Sequence, residues 1–182
     1  MGQTLSELHC PCLIALAGLP ASGKTTLSRS LAVEIGAVHL RIDTIETAML
    51  AALDLPCDLR DAGYRVAYAL ACDHLRLGQS VIADCMNAID VTRRAWQSVA
   101  AETGAAYLGI EILCSDPEEH RRRAETRNAD LPGQNLPDWM AIQTRQYESW
   151  QSADIRIDTA GASIRDSVAA LAGKVRAALA NR

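Results

Sequence analysis

Residues Gly18 to Thr25 read Gly-Leu-Pro-Ala-Ser-Gly-Lys-Thr, the pattern G-x-x-x-x-G-K-T. The flanks constrain the fold as strongly as the pattern itself. Ahead of it, Leu13-Ile14-Ala15-Leu16-Ala17 is a short apolar run with the length of a buried strand. Behind it, Leu27, Leu31, Ala32 and Ile35 recur at helical spacing. Strand, glycine loop and helix in that order form a phosphate cradle. Gly18 and Gly23 let the loop turn its N–H groups inward, and the following helix aims its positive end at the same point. Lys24 then reaches the β- and γ-phosphates, and Thr25 is placed to ligate Mg²⁺. The expected nucleotide-binding set is Gly18, Leu19, Pro20, Ala21, Ser22, Gly23, Lys24, Thr25 and Thr26, with ATP and Mg²⁺ as the implied ligands.

The rest of the chain repeats the strand-then-helix rhythm. Val38-His39-Leu40-Arg41-Ile42 reads as a second strand closing on Asp43, with a helix over 44–53 capped by Asp43 or Thr44. Pro56-Cys57-Asp58 breaks the pattern, and a long amphipathic helix follows over 60–77. Strands at 80–84, 107–114 and 154–158 alternate with helices at 90–103, from Pro117 onward, at 138–150 and from Ser163. That rhythm implies a parallel sheet covered on both faces, a three-layer α/β/α sandwich in one domain over 1–182. Asn128 to Pro137, rich in Asn, Asp, Gly and Pro, is the least regular stretch and reads as part of a lid over about 124–137.

Composition narrows the classes. The formal charge of −4 provides no basic field and argues against nucleic acid as a partner. The longest apolar runs are too short to span a bilayer, and the N-terminal residues lack the layout of a secretory signal, so a cytoplasmic protein is expected. Phe is absent, which leaves the core to Leu, Ile, Val and Ala. Apart from Cys10-Pro11-Cys12, the six cysteines are scattered and read as free thiols rather than a metal or redox site.

In open parallel sheets, ligands bind beyond the carboxyl ends of the strands. Asp43 after the second strand is the candidate base that accepts a proton from an attacking hydroxyl. Glu46, one turn on, is expected to line an acceptor pocket beside it, which would suit a neutral or cationic alcohol. Asp84 follows Val81-Ile82-Ala83, a hydrophobic-run-then-acid pattern, and is read as a Mg²⁺ partner or substrate ligand, with Asn87 nearby to orient either. Arg123 and Arg127 share a helix face at the start of the irregular segment and are read as lid arginines closing on the transferring group. Arg121 and Arg122 are expected to face solvent. Trp139, Tyr147 and Trp150 are read as packing residues; His39, His74 and His120 show no partner pattern and are read as structural.

With these residues assembled, the chain resembles the small P-loop kinases grouped as AAA-type kinases, which include chloramphenicol phosphotransferase and gluconate-type, adenylylsulfate and polynucleotide 5′-hydroxyl kinases. The resemblance rests on the glycine loop, Ile42-Asp43-Thr44, the block from Tyr64 through Asp84, and Arg123-x-x-x-Arg127. It implies the P-loop NTPase fold, with a five-stranded parallel sheet of order 2-3-1-4-5 and a short lid. It also implies transfer of the γ-phosphate of Mg²⁺-ATP to a hydroxyl of a small molecule, by a monomer or dimer. Glu46 stands where several of these kinases carry an arginine for an acidic substrate, which points the acceptor toward a non-anionic alcohol. A polynucleotide or nucleoside kinase and a nucleotide-sensing or hydrolysing switch protein stay open as alternatives.

Overall fold

The continuous apolar run before the glycine loop splits its side chains between two faces, as a strand in a buried parallel sheet must. In the computed structural model, which describes residues 10–53 and 59–180, β1 is Cys12–Ala17, fully buried along its length. Cys12, Ile14 and Leu16 enter one core layer with Leu27, Leu31, Ile110 and Leu171. Leu13 and Ala15 enter the opposite layer with Ala67, Ala71, Leu75 and Trp96. With no Phe available, Trp96 is the largest fully buried side chain, and Tyr68 packs edge-on against it at 4.5 Å between ring centroids.

The elements follow in the expected order: α1 (Lys24–Ile35), β2 (Val38–Arg41), α2 (Ile42–Leu53), α3 (Ala62–Arg76) and β3 (Val81–Asp84). Then come α4 (Asp90–Thr103), β4 (Ala106–Leu113), α5 (Pro117–Thr126), α6 (Trp139–Gln143), β5 (Ile155–Asp158) and α7 (Ile164–Ala180). The five strands are all parallel and lie in the order β2-β3-β1-β4-β5. Helices α1 and α7 cover one face, and α3 and α4 the other. This is the P-loop NTPase architecture, with β1 central, so the loop after it opens at the middle of the sheet's carboxyl edge.

Local signals set several helix ends. Asp116 caps α5 by accepting from the N–H groups of Glu118 and Glu119 at 2.9 and 3.1 Å, with Pro117 in the first turn. Gly36 and Gly104 close α1 and α4 in the left-handed conformation. Two expectations need correction. Asp43 does not sit at the end of a strand: β2 stops at Arg41, and Asp43 lies in the first turn of α2. The helix expected over 138–150 is only α6, five residues long. Beyond Thr144 the backbone finds tertiary partners instead of a helical ladder. Arg93 donates to the Glu148 carbonyl, and Glu111 accepts from the Trp150 N–H at 2.9 Å and from the Tyr147 hydroxyl at 2.9 Å. The Pro56-Cys57-Asp58 break lies outside the described residues.

None of the five described cysteines forms a disulfide; Cys12 and Cys85 are buried and Cys10 is exposed. Among the described residues no helix is long and apolar enough to cross a membrane.

Candidate active site

The glycine loop is held from three sides. Gly18 adopts φ +147°, and a Cβ there would stand 2.1 Å from the Ile112 carbonyl oxygen, so only glycine lets the loop leave β1 beside β4. The Gly18 N–H donates to the Met86 carbonyl at 3.1 Å, tying the loop to the segment after β3. Thr159, just after β5, donates its hydroxyl to the Ser22 carbonyl at 3.0 Å, and His120 Nε2 donates to the Pro20 carbonyl at 2.8 Å. Gly23, at φ +96°, turns directly into α1, so the helix N-terminus points into the loop.

Lys24 is 9% exposed. Its ammonium folds back to donate to the Leu19 carbonyl at 2.7 Å. Burial pushes it down to about 8, although Asp84 and Asp43 both pull the other way. Asp84, 3% exposed, lies with Oδ2 at 3.3 Å from His39 Nε2. Burial by itself would raise its pKa; His39, Lys24 and Thr25 outweigh it and hold the carboxylate below its ordinary range. The Thr25 hydroxyl and the Asp84 carboxylate are oxygen donors, and no group of three His, Cys, Asp or Glu side chains that could hold a metal exists among the described residues. Such a sparse, oxygen-only set fits Mg²⁺, which keeps several waters and takes phosphate oxygens as ligands.

These groups face a cavity of about 540 Å³ at the carboxyl edge of the sheet. Pro20, Ala21, Gly23, Lys24, Thr25 and Thr26 line one part of it. Asp43, Asp84, Arg123 and Arg127 line it as well, alongside Arg29, Arg41, Arg145 and side chains from the loop over 127–138. Of the expected loop residues, Gly18, Leu19 and Ser22 shape the cradle from behind rather than line it. Asp43 is 54% exposed; its Oδ2 accepts from Arg41 at 3.4 Å and from the Gln134 side-chain amide at 3.3 Å.

Arg123 is strapped in place, donating to the Thr159 hydroxyl and carbonyl at 2.8 and 2.9 Å and to Glu119 at 2.6 Å. Arg127, the C-cap residue of α5, has a buried Nε without a hydrogen-bond partner among the described residues and a 3.4 Å contact from its amino group to the Pro137 carbonyl. The expected lid start at 124 falls inside α5, so the irregular segment begins at Arg127. Arg121 and Arg122 are exposed, and Trp150 is buried.

Two sequence expectations fail here. Glu46 does not line the cavity: its carboxyl group packs on Gly63 of α3, where a Cβ would meet Glu46 Cγ at 2.4 Å. An i,i+3 spacing put it near Asp43 along the helix, but docking of α2 on α3 turned it away. Asn87 is fully buried, at φ +46°, with its N–H donating to the Tyr64 hydroxyl and its carbonyl taken by Arg93. It braces the segment after β3 and does not reach the cavity.

Sequence reasoning also missed residues. His39 and Arg41 alternate along β2 and so point the same way, and that period-two spacing was the available signal. His39 meets Asp84 and, at 3.0 Å, the Ser28 hydroxyl. Arg41 and Asp130 carried no local mark at all.

An open parallel sheet with a glycine loop, a buried lysine and an acid at the end of the adjacent strand defines a P-loop nucleotide-binding protein. The family described as AAA domain matches residues 13–145, and the chain belongs to it. A curated relative, the cytidylate kinase of Afipia carboxidovorans, is 33% identical over 144 residues, 63% of this chain and 69% of the relative. Among solved structures, the Mycobacterium tuberculosis APS kinase CysC in complex with AMPPNP and APS superposes with a TM-score of 0.69 at 18% identity, covering 92% of this chain and 98% of that one. A gluconokinase from Sinorhizobium meliloti gives 0.68 at 16% identity, covering 95% and 96%. At these identities the structural likeness is one of fold.

Proposed function

We propose that the protein is a kinase that transfers the γ-phosphate of Mg²⁺-ATP to a hydroxyl group of a small molecule. One observation carries the reading. Lys24, Asp43 and Asp84, from three separate segments, face a single cavity closely enough that both carboxylates act on the lysine's charge. Lys24 and the loop N–H groups would hold the β- and γ-phosphates, with Thr25 and Asp84 holding the metal. Bound Mg²⁺ would supply charge neutralisation between the phosphates. Asp43 would take the proton as the acceptor oxygen bonds to the γ-phosphorus and the bond to ADP breaks. Arg127, unpartnered at Nε, is suited to the charge on the transferring group, and the loop over 127–138 to a lid that excludes water.

The expectation of a non-anionic acceptor leaned on Glu46, which lies outside the cavity. Arg29, Arg41 and Arg145 line it instead. Similarity to a cytidylate kinase favours a second reading, in which the acceptor oxygen belongs to a nucleotide phosphate. A phosphate oxygen is already ionised and needs no base, so Asp43 separates the two. The test is ADP release from Mg²⁺-ATP with sugars, sugar acids, antibiotics, nucleosides, 5′-hydroxyl oligonucleotides and CMP. Stimulation by a hydroxyl compound that is lost in Asp43→Asn supports the proposal. Stimulation by CMP that survives Asp43→Asn supports the second reading, and slow hydrolysis indifferent to every compound points to a nucleotide switch.

A further inference from the structure

One charge cluster in the cavity has no part in the transfer just described. Arg29 of α1 and Arg41 of β2 both donate to a single oxygen, Asp130 Oδ2, at 2.8 and 2.7 Å. Arg41 is 8% exposed; one of its amino groups serves Asp130 and the other lies 3.4 Å from Asp43 Oδ2, the proposed base. All four side chains line the cavity. Hydrogen bonds from Arg41, with Arg29 adding to them, hold the Asp130 carboxyl down to about 2.

Convergent guanidinium groups on one anionic oxygen are the arrangement by which proteins recognise carboxylates and phosphates. Here the anion comes from the segment between α5 and α6, which has neither helix nor strand to hold it down. A guanidinium as buried as Arg41 is costly to leave without an anion. Any movement of that segment therefore calls for a replacement.

We infer that Arg41 and Arg29 form an anion subsite for the acceptor, and that Asp130 fills it until the acceptor displaces it. The acceptor then carries a carboxylate or a phosphate only a few bonds from its reacting hydroxyl, because one guanidinium faces both the subsite and Asp43. This rests on the function proposed above and names the substrate class for that site.

The test is calorimetric titration of sulfate and of acetate, at constant ionic strength, into protein loaded with Mg²⁺-AMPPNP so that the glycine loop is filled. Asp130→Asn keeps the side chain's size and removes the competing charge, so anion affinity should rise about tenfold over the unmutated protein. Adding Arg41→Met should abolish the gain. Arg29 is 52% exposed, so Arg29→Met in the Asp130→Asn background should weaken binding without endangering the fold. A preference for sulfate indicates a phosphate-bearing acceptor, and one for acetate a carboxylate. Equal affinity in the unmutated and Asp130→Asn proteins, or binding that survives loss of the arginines, overturns the inference and leaves Asp130 as a fastener of the loop. Failure to bind Mg²⁺-AMPPNP at the outset would overturn the kinase reading itself and this inference with it.

Discussion

Replacing Lys24 by Met should stabilise the nucleotide-free protein while removing its phosphate-binding charge. The ammonium is buried and brought down to about 8 from an ordinary 10.5. At about 1.4 kcal/mol per unit, holding it charged at pH 7 costs roughly 3 kcal/mol of folding free energy. Met fills similar space but loses the bond to the Leu19 carbonyl, worth about 1 kcal/mol, so the net gain at pH 7 is about 2 kcal/mol. The sign with pH follows from proton counts. Between about 8 and 10.5 the unfolded chain binds more protons at Lys24 than the folded one, so stability rises with pH through that window. The advantage of the Met variant should therefore shrink to about 1 kcal/mol by pH 9. Cys85, pushed up to about 12 by burial, and the half-buried tyrosines act in the opposite direction at alkaline pH, and up to pH 9, where the folded groups keep their protons, they do so equally in both proteins. Urea unfolding of the two at pH 7 and 9, without nucleotide, reads the difference directly. A Met variant less stable at pH 7, or an advantage that does not change with pH, refutes the reasoning.

The same lysine gives a binding prediction: ATP affinity should fall by up to about tenfold per pH unit above pH 8, as free Lys24 loses its proton, and titration across pH 7–9.5 checks it. Asp43→Asn should lower kcat by about 10²–10⁴ while leaving ATP binding nearly intact; a variant that loses only ATP affinity would make Asp43 a binding residue. Gly18→Ala drives a Cβ into the Ile112 carbonyl and should cost more than about 3 kcal/mol in denaturant unfolding, whereas an unchanged midpoint would mean the loop leaves β1 along another path. Arg127→Gln should cut kcat at least about tenfold with little change in Tm, whereas Arg123→Gln should lower Tm as well, since it unstraps Thr159 and Glu119. Equal effects of the two on Tm would contradict the distinction.

The parallel sheet, the glycine loop and the acid ending β3 were all legible before folding, because each is written in short stretches of chain, whereas the strand order was implied only by the family resemblance. Alternation, helical periodicity and capping residues depend on neighbours a few positions away, and those neighbours are in the sequence. Asp116 capping α5 is such a case, and so is Gly18 at the exit from β1. The α6 helix was overestimated for a reason of a different kind. Its local pattern is helical, but Arg93 and Glu111, remote in sequence, compete for its backbone groups and win.

Residues close together in the chain are enough to specify a parallel α/β sheet with a phosphate cradle after its first strand. Periodic apolar residues and glycines have only one good local solution. Which charges then meet in the cavity depends on how segments remote in the chain pack against one another. Arg41 and Asp130 lie 89 residues apart and join only because β2 and the segment after α5 reach the same edge of the sheet. Glu46 was turned away by the docking of α2 on α3. A charged side chain satisfies the chain's local preferences equally well facing solvent or a partner, so nothing near it in sequence records the choice.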